Sequence, residues 1–252
     1  MSIRSILNRT SLLPRAYSEQ FDGTGTAQLV LPNYPVLGLP TLSVSGQSIS
    51  QAAQEGDGPG FCFGFRYQPW NGIPPGNPAV LELVGTRYWG GRQNVVVNYS
   101  AGYQITDEPG TVDATTYQIT PLIPQGNWAS DQGVVYADTG VALVPVADSP
   151  TVGQYVPPNP EGLMPILYYQ FSVDDASQNL LLSYGFIPYD IEQVALEVIA
   201  DRASYRTRAG VRSKSLAGQE TIAYTDTALN DYVNRSLGAY ISVLPPAIGA
   251  AV

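Results

Sequence analysis

Histidine is absent from this 252-residue chain, and cysteine occurs once, at Cys62. Without imidazole, histidine general acid–base catalysis, Ser-His-Asp nucleophiles and histidine metal sites are excluded. One cysteine excludes an internal disulfide and a Cys-rich zinc site, and Cys62 reads as a small buried hydrophobe. Charge is scarce too: 13% of residues are Asp, Glu, Lys or Arg, about half the usual share. Basic residues are the scarcer sign, 12 against 21 acidic, for a net charge of −9 and a pI near 4.3. That balance argues against a free-standing nucleic-acid binder. No apolar run reaches the roughly 20 residues that a membrane helix needs. Met1 to Arg9 has two arginines but neither a continuous apolar stretch nor a small-residue cleavage site, so a soluble protein, intracellular when made, is expected.

The missing cations are unevenly distributed. From Gln93 to Asp201 there is no Lys or Arg, yet thirteen acids fall there. Arg202, Arg206, Arg208, Arg212 and Lys214 then follow within thirteen residues. A solvated acidic face is one reading of the first stretch; a surface that must not stick to DNA is the other. The basic cluster has three: helix-end charges in solvent, ion pairs to acids of a neighbouring copy, or DNA-backbone contact. The last seventeen residues, Ser236 to Val252, carry no charge. An apolar stretch that nothing covers marks a contact site.

What the chain has in abundance is Gly (25), Pro (21) and Tyr (17), with 44% hydrophobic residues. This composition predicts a sizeable core and a β-rich body with many turns. Ser2 to Leu13 has helical spacing and is stopped by Pro14. Ala27 to Leu31, Thr41 to Val44, Ala79 to Val84 and Asn94 to Ser100 read as strands. Gly90-Gly91 between the last two suggests that they pair as a hairpin. Gln51 to Gly60 reads as a polar loop. Tyr117 to Ile119, Val134 to Tyr136, Val141 to Val146, Tyr168 to Val173 and Leu180 to Tyr184 read as further strands. An internal echo links Val96 to Tyr103 with Leu180 to Phe186: an apolar strand, a tyrosine, then glycine beside an aromatic.

From Pro188 the period changes. Ile191, Val194, Ala195, Val198 and Ile199 fall at helical spacing. Asp190 can cap the helix with Gln193 three residues on, the basic residues crowd its last turns, and Gly210 supplies a stop. A final helix is expected from about Thr227 to Leu244, with Leu229, Val233, Leu237, Tyr240, Ile241 and Leu244 on one stripe. Catalytic and metal readings find little support. Phe21-Asp22-Gly23-Thr24-Gly25 lacks the lysine and helix of a phosphate loop. Asp174-Asp175 lacks the ligand ladder of a calcium site. No catalytic, metal-binding or cofactor-binding residue is assigned.

The order of several segments carries a resemblance. Phe21-Asp22-Gly23-x-Gly25, Leu29 to Pro32 and Pro35-Val36 come first, then Ser43-Val44-x-Gly46 and Gln93 to Tyr103. Pro188-x-Asp190-Ile191-Glu192-Gln193-Val194-Ala195 follows, then Tyr205-Arg206-x-Arg208-x-Gly210-Val211-x-Ser213-x-Ser215, Glu220 to Tyr224, and Leu237-Gly238-Ala239-Tyr240. Together they resemble the head–tail adaptor (connector) proteins of long-tailed bacteriophages over about residues 20–103 and 188–244. In that family the Ala-Gly-Tyr segment runs almost directly into the Pro-x-Asp-Ile helix; here 104–187 intervenes.

The resemblance implies an α+β fold: a small helical bundle, formed by an N-terminal helix and two C-terminal helices, carrying large β-rich, sandwich-like excursions. The segments are then 1–20 (N-terminal helix), 21–103 (β-rich adaptor segment), 104–187 (inserted β domain) and 188–252 (helical segment with an apolar tail); the family is silent on the insert, whose place between neighbouring family elements suggests the ring exterior. It also implies a non-enzymatic virion protein at the head–tail junction, assembled in the host cytoplasm as a homo-oligomeric ring, commonly of about twelve copies. Such a ring docks on the portal, receives a downstream neck or tail protein, and surrounds the channel through which genomic DNA passes. The docking tail falls on Leu244, Pro245, Pro246, Ile248 and Val252. Arg202, Arg206, Arg208, Arg212 and Lys214 become inter-subunit or DNA-facing positions. The alternative is a phage surface-binding β module: a fibre, decoration or carbohydrate-binding protein.

Overall fold

In the computed structural model of the chain, residues 11–52, 63–68, 79–123, 125–160, 166–208, 213–216, 220–223 and 237–238 are described. They build two β-sandwiches in sequence, followed by one long helix.

The first sandwich uses strands β1 (Arg15–Gly23), β2 (Gln28–Leu31), β3 (Val36–Val44), β4 (Gln47–Ile49), β5 (Gly64–Gln68), β6 (Ala79–Val84) and β7 (Gly91–Ala101). One sheet runs β1-β7-β3-β4 and the other β2-β6-β5, all antiparallel. Val95, Val97 and Tyr99 alternate inward from the central strand β7, as strand geometry requires, and meet Leu31, Phe65, Leu81 and Leu83 of the other sheet. Ser45 and Gly46 both have positive φ (51° and 80°), which suits the two-residue turn between β3 and β4.

The second sandwich uses β8 (Gln104–Thr111), β9 (Gln118–Ile119), β10 (Gly126–Tyr136), β11 (Val144–Pro145), β12 (Gln154–Val156), β13 (Tyr169–Phe171) and β14 (Asn179–Pro188). Its sheets run β10-β14-β8 and β11-β12-β13-β9, antiparallel except for the short β11–β12 pair. Leu180, Leu182 and Tyr184 of β14 pack with Val134, Tyr155, Tyr169 and Phe171. The chain enters and leaves this unit side by side, because Gln104 is paired with Gly185 and the Phe186 amide donates to the Tyr103 carbonyl (3.1 Å).

A third cluster sits at that junction. Tyr103, Phe186, Ile191, Val194 and Leu237 are buried together, with Leu12 and Val198 packed against them. The Tyr103 and Phe186 rings meet at 5.8 Å in a tilted arrangement. The helix α1 (Tyr189–Arg208) starts directly from β14. Beyond it, β15 (Ser213–Leu216) and β16 (Glu220–Ala223) pair as a hairpin.

The expected helical bundle is overturned. Among the described residues α1 is the one long helix, beside a 3-10 turn at Val173–Asp175, and the body is strand. Among the described residues α1 packs on an aromatic junction between the two sandwiches, Tyr103 and Phe186, with Leu237 in the same cluster. Ser11 to Leu13, the end of the expected first helix, are not helical; Ser11 Oγ instead accepts from the Leu13 amide (3.1 Å). Residues 2–10 lie outside the described residues, as does the expected final helix apart from Leu237 and Gly238.

Two smaller expectations also change. β6 and β7 do not form a hairpin but belong to different sheets. The buried Tyr88, whose hydroxyl donates to the Leu81 carbonyl (3.1 Å), carries the chain across the core between them. Asp190 is the second residue of α1 rather than its cap; with Glu192 it places acid in the first turn, where the dipole favours it.

Candidate assembly interface

α1 is the element that could present residues to a partner, and its start is firmly held. The Tyr189 amide donates to the Gln125 carbonyl (3.3 Å), the Tyr189 hydroxyl to the Ile123 carbonyl (3.4 Å), and Asn127 Nδ2 to Glu192 Oε2. The second sandwich therefore fixes the direction in which the helix leaves. Ile191 and Val194 are buried in the junction and Val198 is partly buried there.

Ile199 does not share that face. It is 63% exposed, and Leu196 is 56% exposed. With the exposed Ala200 and Ala203 they form an i, i+3, i+4, i+7 stripe, roughly 150° round the helix from the buried one. α1 thus has two apolar faces: one occupied by its own chain, the other open. Spacing carries this signal, but the sequence reading absorbs Ile199 into the inner stripe and overlooks Leu196.

The basic residues follow this stripe. Arg202, Arg206 and Arg208 are on the last two turns of α1, and Lys214 is in β15. Arg202 and Arg206 are one turn apart on a helix of 3.6 residues per turn. Arg212 and the tail residues Leu244, Pro245, Pro246, Ile248 and Val252 lie outside the described residues.

A second open surface closes the far end of the first sandwich. Val44, Ile49, Phe63, Leu83 and Trp89 line a groove of about 250 Å³ with Arg87 at its side. Trp89 is 68% exposed and Phe63 57%. Asn94 builds this end. Its Oδ1 accepts from the Gly23 amide (2.8 Å), and its Nδ2 donates to the Trp89 carbonyl (2.9 Å) and Ser45 Oγ (3.4 Å). The Asp22 carboxylate accepts from the Gln93 amide (2.6 Å). The motifs Phe21 to Gly25, Ser43 to Gly46 and Gln93-Asn94 are thereby stapled to one another.

Four partly or wholly buried acids take tyrosine hydroxyls as partners. Tyr184 donates to Glu108 (2.5 Å), Tyr155 to Asp131 (2.6 Å), Tyr136 to Asp175 (2.6 Å) and Tyr99 to Glu19 (2.6 Å). Glu108 also accepts from the Leu122 amide (2.9 Å) and Asp175 from the Gly153 amide (3.3 Å). For Glu108, Asp131 and Asp175, which lie in the stretch without Lys or Arg, the neutral hydroxyl does the work of a cation: it satisfies the carboxylate without adding a buried charge. Burial, and secondarily the neighbouring acid, pushes Tyr136 up to about 12 and raises Tyr155 and Tyr184 further. Three of these pairs cross-link strands within the sandwiches, and the fourth ties β10 to the 3-10 turn at Val173–Asp175. Asp175 is thus engaged inside the fold, and among the described residues no group of three His, Cys, Asp or Glu could hold a metal ion. No helix among them is long and apolar enough to cross a membrane. No family model, no curated protein and no solved structure matches the chain.

Proposed function

We propose that this chain is a structural subunit of a bacteriophage virion, a head–tail adaptor that forms a ring beneath the portal around the DNA exit channel. The observation that carries this reading is the open stripe Leu196, Ile199, Ala200 and Ala203. It lies on a helix whose other face is already filled and whose last turns hold the basic positions of an acidic chain. A neighbouring copy covers that stripe, and burying Leu196 and Ile199 contributes on the order of 2–4 kcal/mol per contact. The basic turns then face acids of that neighbour or the DNA backbone. Genomic DNA slides past a predominantly acidic surface without being trapped. The uncharged segment from Leu244 to Val252 docks on the portal, and a downstream neck protein binds the opposite side.

The test combines two variants. L196E/I199E should leave the monomer folded and abolish the ring in mass photometry. Deletion of 245–252 should spare the ring and abolish portal binding. A ring that persists in the first variant, or portal binding that persists in the second, removes the corresponding part of the reading.

A surface-binding β module is the second reading, and the Trp89 groove favours it. Aromatic side chains exposed beside Arg87 suit a sugar ring or a flat apolar ligand. A glycan array with the wild type and W89A separates the two: saccharide binding lost in W89A supports the module, and no binding removes it.

A further inference from the structure

We infer that Leu12 to Pro14 form a releasable clasp that locks the two sandwiches in one relative orientation. The first sandwich reaches the second through a short covalent link, Gly102-Tyr103, between β7 and β8. Gly102 has φ of 148°, a conformation open chiefly to glycine, so the link alone is a hinge. The second tether is the segment just before β1. Its Leu12 carbonyl accepts from the Tyr103 amide (2.9 Å), and its Leu12 side chain packs against the junction cluster.

The clasp is recorded in two glycines. A Cβ at Gly102 would stand 2.5 Å from both the Leu13 carbonyl carbon and Pro14 N. One at Gly185 would stand 2.7 Å from Pro14 Cδ and closer still to Ser130 Oγ. Contacts that close are not found for real side chains, so both positions must be glycine while the segment lies there. Gly102 directly follows the central strand of the first sandwich, and Gly185 lies near the end of the central strand of the second. This accounts for the echo between Val96–Tyr103 and Leu180–Phe186: each sandwich presents a bare backbone, and the same proline segment covers both. Among the described residues one hydrogen bond to the junction, the partly buried Leu12 and the packing of Leu13 and Pro14 on two glycines hold it, and none of these belongs to either sandwich core, so the clasp can open without unfolding either core. The orientation of the second sandwich is then set by whatever engages residues 11–14. The device does not require that the chain form a ring.

The experiment places spin labels at S48C and D138C, one in each sandwich, in a C62S background, and reads the distance distribution by pulsed electron resonance. The starting protein should give one narrow peak. G185V, which drives Pro14 out, and L12D, which unseats the leucine without touching either glycine, should each broaden it, while circular dichroism keeps the β signal. If G185V does not fold, L12D decides alone. A distribution that stays narrow in folded L12D overturns the clasp, as does a broad one in the starting protein.

Discussion

Asn94 is the residue on which one end of the molecule most depends. One amide side chain answers Gly23, Trp89 and Ser45, which lie on three separate turns. Asn94→Ala should lower stability by about 2 kcal/mol, since the Gly23 amide is left without its acceptor; thermal unfolding by circular dichroism reads this, and an unchanged midpoint would contradict it. The tyrosines make a pH prediction. Tyr67 and Tyr136 are pushed up to about 12 in the fold, mainly by burial, whereas unfolded tyrosine ionises near 10. The folded state therefore holds these protons longer. The stabilisation is complete below about pH 10 and is lost as pH rises towards 12. Absorbance at 295 nm should show a group of tyrosines that ionise only well above 10, as the fold is lost; all seventeen ionising near 10 in a folded protein would contradict this. At this scale the sequence shows residue types but not partners: nothing in it says that Glu108 faces Tyr184, 76 positions away.

Elements differ in how far their residues announce them. The alternation of Val95, Val97 and Tyr99 makes β7 legible, because a central strand sends every second residue into a core. β1 and β8 are edge strands of their sheets. Their polar sequences, RAYSEQFDG and QITDEPGT, show little of the pattern, as edge strands with charge and proline do. Gly90-Gly91 looks like a hairpin turn, but pairing is decided by the buried Tyr88, a contact no local pattern reveals. The bundle expectation fails for a similar reason. Helical spacing shows that α1 has an apolar face, not that aromatic rings from strand ends will cover it. The side-by-side ends of the second sandwich lead to a deletion test. Replacing 104–185 with a short linker should leave the first sandwich unfolding cooperatively in calorimetry. α1 should lose its start, because Ile123, Gln125 and Asn127 anchor it. Loss of every cooperative transition would show instead that the first core needs the second.

At the scale of the whole molecule, charge and open surface have to be explained together. The chain satisfies Glu108, Asp131 and Asp175 with tyrosine hydroxyls, and gathers five basic residues between positions 202 and 214. It leaves an apolar stripe just before them. A monomer has no evident use for that arrangement, whereas a closed ring brings each stripe against the next copy. The proposed role thus rests on α1, whose inner and outer faces the sequence suggests only as one. The most direct measurement is electron microscopy of the purified chain mixed with the portal protein encoded in the same genome. A ring-forming adaptor should appear as a closed ring stacked coaxially on the portal, with Leu196 and Ile199 at each boundary between copies. Single chains beside a bare portal, or a ring in which those two side chains face solvent, would contradict it.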